Sequence, residues 1–180
     1  MKISAFIIAI FLLLPFSIVA QSVSDLDIKN GFRHLKLGTS LSLVKNKRKV
    51  VVTFYSNPNI ITYSYTGSDI EYVANVKVAY IHLDFFKDKL VKIRVGFNNF
   101  TEQEYNKILE ALESVYGNIW SPTTNNNSKL LNSACWKGKK TELSLGRRYF
   151  FTQDDGTDVI AGALFVEVRD FDKQLDADDF

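Results

Sequence analysis

The chain has 180 residues, 46% of them hydrophobic and 13% aromatic, with 22 basic and 20 acidic side chains and a net charge of +2. That balance lacks the one-sided basic excess that nucleic acid demands. A single cysteine, Cys135, excludes a disulfide within the chain, so the fold has to be held by its core.

Residues 1–20, MKISAFIIAIFLLLPFSIVA, carry a lysine at position 2, an apolar run to Leu14, a proline and a small residue at Ala20. This is the layout of a secretory signal. A membrane span wants roughly 18 unbroken apolar residues, and Pro15 and Ser17 interrupt this run. Export to the periplasm or the exterior is therefore expected, with no stable membrane anchor after cleavage. Losing Lys2 with this segment takes the bases from 22 to 21 against 20 acids. Gln21 stands where a lipid-anchored form would need cysteine. Residues 21–30 read as a lead-in, 31–171 as a single α+β domain and 172–180 as an acidic tail.

In NGFRHLKLGTSLSLVKNKRKV, residues 30–50, Thr39 is expected to cap a short helix near 40–48 with Leu41 and Val44 inward. The bases Lys45, Lys47, Arg48 and Lys49 then fall at its C-terminal end, where cations meet exposed carbonyls. VVVTFYS and NIITYSYTG read as two strands. Over residues 76–97, Ala79, Ile81, Leu83 and Phe85 alternate with polar partners, as do Val91, Ile93, Val95 and Phe97. Closing this hairpin around Lys87-Asp88-Lys89 pairs Phe85 with Val91 and Leu83 with Ile93, and sets Asp84 opposite Lys92.

FTEQEYNKILEALESVYG, residues 100–117, predicts a helix over 101–116. Thr101 and Glu104 form a reciprocal capping pair, and Phe100 and Tyr105 a staple. Tyr105, Ile108, Leu109, Leu112, Val115 and Tyr116 make one apolar stripe, and Gly117 ends it. In residues 133–145, a two-residue turn at Gly138-Lys139 would set Trp136 across from Thr141 and Ala134 across from Leu143, with Lys137 facing Lys140. A last strand over 159–171 carries Ile160, Leu164, Val166 and Val168 on one face. SPTTNNNS and TQDDGTD read as loops. The fold class is thus α+β, an antiparallel sheet with helices packed on one face, and the order of elements raises two helix-then-strands repeats.

Chemistry is sparse in the sequence. His82 shares a strand face with Asp84, but a metal site needs three or four converging ligands. Asp84 is read as the cross-strand partner of Lys92, and His82 as a surface residue near Arg94. Cys135 lacks a sequence neighbour that would activate a thiol and is read as a packing residue. Asp154, Asp155 and Asp158 miss the calcium-loop spacing. Asn99 and Asn126 match the glycosylation pattern. Nucleophile-elbow, phosphate-loop and zinc-protease motifs are absent, so no catalytic, cofactor or metal residue is assigned. Like charges meeting at the hairpin tip cost stability, which makes Lys137, Lys139 and Lys140 candidate partner contacts.

Taken in order, LGTSLSLVKNK, FFKDKLVKIRVGF, EYNKILEALESVYGN and CWKGKKTELSL resemble small secreted bacterial proteins of uncharacterised function. A more distant similarity is to the helix-plus-antiparallel-sheet module of outer-membrane assembly lipoproteins and of β-lactamase inhibitor proteins. The resemblance runs from about Gly31 to Val168 and implies binding of other proteins rather than catalysis. The expected function is a secreted or periplasmic, non-enzymatic interaction module. The alternatives are a hydrolase assembled only in space, drawing on His82, Asp84 and Glu142, and an apolar-ligand carrier with a cavity between helix and sheet.

Overall fold

A computed structural model of the chain describes residues 24–50, 57–122, 130–152 and 155–168. Residues 1–20, read as a signal, most of the VVVTFYS stretch read as a strand, Asn126, Asp154 and residues 172–180 lie outside the described residues. Within them, eleven strands and two α-helices make a mixed fold dominated by antiparallel sheet.

The stretch read as a lead-in contains helix α1 (Ser24–Lys29), whose Leu26 is fully buried. A tight hairpin of β1 (Gly31–Phe32) and β2 (Leu35–Lys36) follows. The expected helix near 40–48 is absent: a three-residue 3-10 turn, Leu41–Leu43, is followed by strand β3 (Lys47–Lys49). The cause is a competing use of the backbone. Gly38 and Thr39 exchange hydrogen bonds with Leu90 (2.7 and 2.9 Å), which commits the residue expected to cap. Leu41 and Val44 still point into the core, but the basic run sits on a strand rather than at a helix end.

Strand β4 (Ile60–Tyr65), the small hairpin of β5 (Tyr72–Val73) and β6 (Val76–Lys77), and strands β7 (Tyr80–Phe86) and β8 (Lys89–Phe97) complete the first half. Helix α2 (Glu102–Tyr116) then leads to β9 (Leu130–Lys137), β10 (Thr141–Thr152) and β11 (Asp158–Val168). Seven of these form one sheet in the order β3-β4-β7-β8-β11-β10-β9. Two meanders therefore meet along the β8–β11 ladder, where Ile93 pairs with Val166 and Val95 with Leu164.

Both hairpin registers differ from expectation at the tip. In β7–β8, Leu83 pairs with Ile93 and Asp84 with Lys92 as read, but Phe85 meets Leu90 because Val91 is accommodated by a bulge. The turn is only Lys87-Asp88, both left-handed at φ 47° and 66°. In β9–β10, Trp136 pairs with Leu143, Ala134 with Leu145 and Lys137 with Glu142, two residues along from the expected register. An even shift keeps every apolar side chain on its face.

The odd-numbered set Ile81, Leu83, Phe85, Ile93 and Val95 lies in one buried cluster with Trp136, Leu143, Leu145, Leu164 and Val166. Tyr105, Ile108 and Tyr116 of α2 are buried in the same cluster, with Leu109, Leu112 and Val115 packed against it. The start of α2 is as read: Thr101 Oγ1 accepts from Glu104 N–H (3.2 Å) while the Glu104 carboxylate accepts from Thr101 N–H (2.9 Å). Such a capping box contributes about 1 kcal/mol.

Candidate functional site

The face opposite the core carries most of the charge, and register dictates its pattern. One row crosses six strands as Thr62, Asp84, Lys92, Glu167, Glu142 and Lys137. Asp84 is fully buried, accepting from Thr62 Oγ1 at 2.6 Å and pairing with Arg94 at 3.3 Å. Lys92 pairs with Glu167 instead, and Lys137 lies 3.7 Å from Glu142. Asp84 and Lys92 are cross-strand partners as read, but the ion pairs run diagonally from Asp84 to Arg94 and straight across from Lys92 to Glu167. Lys92 and Arg94 both lie over the ring of Phe165, at 5.3 and 5.8 Å.

The residues weighed for a hydrolase do not converge here. Glu142 is three ladders from Asp84, roughly 14 Å at ordinary strand spacing. Burial, with Arg94 beside it, holds His82 below its usual range against the opposing pull of Asp84. Cys135 is buried and donates to Glu142 Oε1 at 3.2 Å. Burial first, then this carboxylate, pushes its thiol up to about 12, and a thiol that stays protonated is no nucleophile.

The hairpin tip expected to offer free lysines is already engaged through its backbone. The N–H groups of Lys139, Lys140 and Thr141 donate to the Asp27 carboxylate at 2.7, 2.9 and 2.9 Å. Gly138 is required at this point, because a Cβ there would strike Asp27. Burial works to raise the Asp27 pKa, but the donated N–H groups of Lys140, Lys139 and Thr141, with the charge of Lys140, bring it below the usual value. Lys137 faces Glu142 rather than Lys140. The side chains of Lys139 and Lys140 remain exposed.

A convergence of titratable groups does occur, at a place where the sequence reading assigned nothing. His34 sits on the tight turn between β1 and β2, Tyr65 ends β4, and Asp69 lies on the loop leading to β5. The Tyr65 hydroxyl donates to Asp69 Oδ1 at 2.7 Å and lies 3.2 Å from His34 Nε2, while His34 Nδ1 is 3.2 Å from Asp69 Oδ2. Arg33 clamps the same loop by donating to the carbonyls of Asp69 and Tyr72, at 2.9 and 2.5 Å. Gly67 lets the loop fold back this tightly, since a Cβ there would collide with Tyr65 and Asp69.

These three side chains line a cleft of about 510 Å³ with Lys36, Lys45 and Leu43 at its margin. Tyr65's hydrogen bond keeps Asp69 below the usual carboxylate range, and His34 and Arg33 act in the same direction. Burial, then the hydrogen bond and charge of Asp69, hold the Tyr65 phenol above its usual range. Such a phenol is a poor nucleophile and a poor acid, but a well-oriented wall for a polar ligand. The signal that could have found this site was weak: Arg33-His34 between two short apolar pairs, and Gly67 two residues from Tyr65 and Asp69.

Comparison with protein-family models, curated proteins and solved structures finds no match to this chain. Among the described residues no group of three or more His, Cys, Asp or Glu is placed to hold a metal ion, and no helix is long and apolar enough to cross a membrane.

Proposed function

We propose that the chain is an exported, non-enzymatic interaction module acting in the periplasm or outside the cell, which engages a protein partner at the His34 cleft. Export rests on the leader-like residues 1–20. The observation that carries the binding role is the preorganised cleft, whose polar wall of His34, Tyr65 and Asp69 is locked by mutual hydrogen bonds. Loop-borne sites on a rigid sheet are where recognition concentrates. The hairpin tip remains a second candidate contact through Lys139 and Lys140, with Lys137 partly occupied by Glu142.

The finer architecture we read into the fold is two helix-then-strands units, the first opened by α1 in place of the expected helix near 40–48, with their helices over the core-facing side of the sheet. The meeting of two meanders at β8–β11 and the burial of Leu26, Ile108 and Tyr116 in one core favour it. A carrier cavity is less favoured, because Trp136, Phe97 and Phe100 fill the interior.

A second reading is favoured by one observation. Asp69, His34 and Tyr65 stand in carboxylate–imidazole–hydroxyl order, as an acid–base hydrolase would need. The raised phenol argues against it.

The test is a pair of measurements on the mature chain. Chromogenic ester, amide, phosphate and glycoside panels are expected to show no turnover that His34→Ala abolishes. Affinity capture from the envelope fraction is expected to yield a stoichiometric partner that His34→Ala weakens. Turnover lost in the variant would replace the binding role by the hydrolase. Equal recovery by a chain with Lys137, Lys139 and Lys140 changed to glutamate would remove the hairpin tip from the proposal.

A further inference from the structure

We propose that the ligand of the His34 cleft is an acidic, extended segment of a partner protein that adds as a strand along the outer edge of β3. This rests on the reading of the chain as an interaction module and names the chemistry it recognises. The cleft and β3 are continuous: Lys45 and Asn46 line the one and run directly into Lys47–Lys49 of the other.

Register tells which backbone groups are available. Thr66 N–H donates to the Asn46 carbonyl and Val50 N–H to the Thr62 carbonyl, so the bonded pairs of the β3–β4 ladder are the even-numbered ones. Arg48 and Ser64 form the bonded pair between them. The N–H and C=O groups of Lys47 and Lys49 therefore point away from β4, and among the described residues no strand lies beyond β3.

Charge selects the occupant. On the sheet, Lys92 is matched with Glu167, Arg94 with Asp84 and Arg147 with Glu102. Lys45, Arg48 and Lys49 are exposed and have no carboxylate partner among the described residues, and residues 45–49 include no acid. Asp69 is the one acid lining the cleft, and it is engaged by Tyr65 and His34. Leu43, 71% exposed at the margin, offers an apolar contact beside this charge. Lysines on an edge deter pairing with a second, equally basic copy, and leave it open to a strand of opposite sign.

The experiment titrates the mature chain with a capped peptide alternating valine and glutamate, and with its lysine counterpart, following amide resonances and amide exchange. Strand addition is expected to protect the Lys47 and Lys49 amides, leave Arg48 unchanged and shift His34 and Tyr65. Lys45→Glu with Arg48→Glu is expected to weaken binding at least about tenfold, whereas Lys107→Glu, exposed on α2, leaves it unchanged. Equal binding of the lysine peptide, or no protection at Lys47 and Lys49, overturns the inference. So does binding reproduced by acetate or inorganic phosphate alone, which would mark a small-anion site. An envelope partner still captured by the charge-reversed chain would overturn this inference and leave the module reading standing, whereas His34-dependent turnover would overturn the module itself.

Discussion

The two long hairpins of the sheet reach their registers by different routes. β7–β8 turns on its own residues: Lys87 and Asp88 supply the left-handed pair that a two-residue connection needs. β9–β10 is closed from a distance, by an Asp27 carboxylate 112 to 114 residues earlier that gathers three consecutive N–H groups. The turn of the first is specified by neighbours in sequence, and Gly38, Thr39 and Leu41 only brace it at Asp88 and Leu90, whereas the turn of the second is held by a tertiary contact. An isolated hairpin peptide would therefore keep the first register more readily than the second.

The contrast can be broken most sharply beside the turn of the second hairpin. Trp136 is fully buried and donates to the Gly117 carbonyl at 2.8 Å. Trp136→Ala is expected to cost about 3–5 kcal/mol, read as a fall in the urea midpoint at unchanged slope. A loss under about 1 kcal/mol would refute the packing described.

Next in size is Asp27→Ala, which removes the acceptor of three bonds at a partly hydrated tip. It is expected to cost about 1.5–2 kcal/mol, the lower part of the range for bonds to a charged group. Acid sharpens the point. Asp27 is depressed in the fold, so its contribution is complete above the unfolded carboxylate value and fades as pH falls through the folded one. The stability gap between wild type and Asp27→Asn should be flat near neutrality and close in acid. A gap that widens in acid would reverse the assignment.

In the first hairpin the left-handed backbone at Lys87, φ 47°, is an intrinsic cost for a residue other than glycine or asparagine. Lys87→Asn is expected to stabilise by about 0.5–1 kcal/mol in thermal unfolding. Smallest is Lys137→Ala, whose partner Glu142 lies 3.7 Å away across an exposed ladder position. A change below about 0.5 kcal/mol is expected there, shrinking further in salt.

The sequence was most legible where interactions are local. The α2 cap, its apolar stripe and the pairs Leu83–Ile93 and Asp84–Lys92 follow from spacing alone. Misreadings fall where a distant partner decides. Thr39 looks like a cap until Leu90 takes its backbone, and the Gly138-Lys139 turn looks tight until Asp27 widens it. The candidate site was illegible for the same reason. His34, Tyr65 and Asp69 come from a turn, a strand end and a loop, with Arg33 holding the loop and Gly67 allowing its close approach.

The place of β11 in the sheet has a consequence for biogenesis. It is the last described strand to be made, yet it stands fifth of seven, wedged between β8 and β10. A ribosome that halted before Asp158 would release two ribbons with bare flanks at the middle of the molecule, where most truncations would merely shorten a rim. Such a fragment should clump through those flanks, and cellular quality control would meet it as an opened seam.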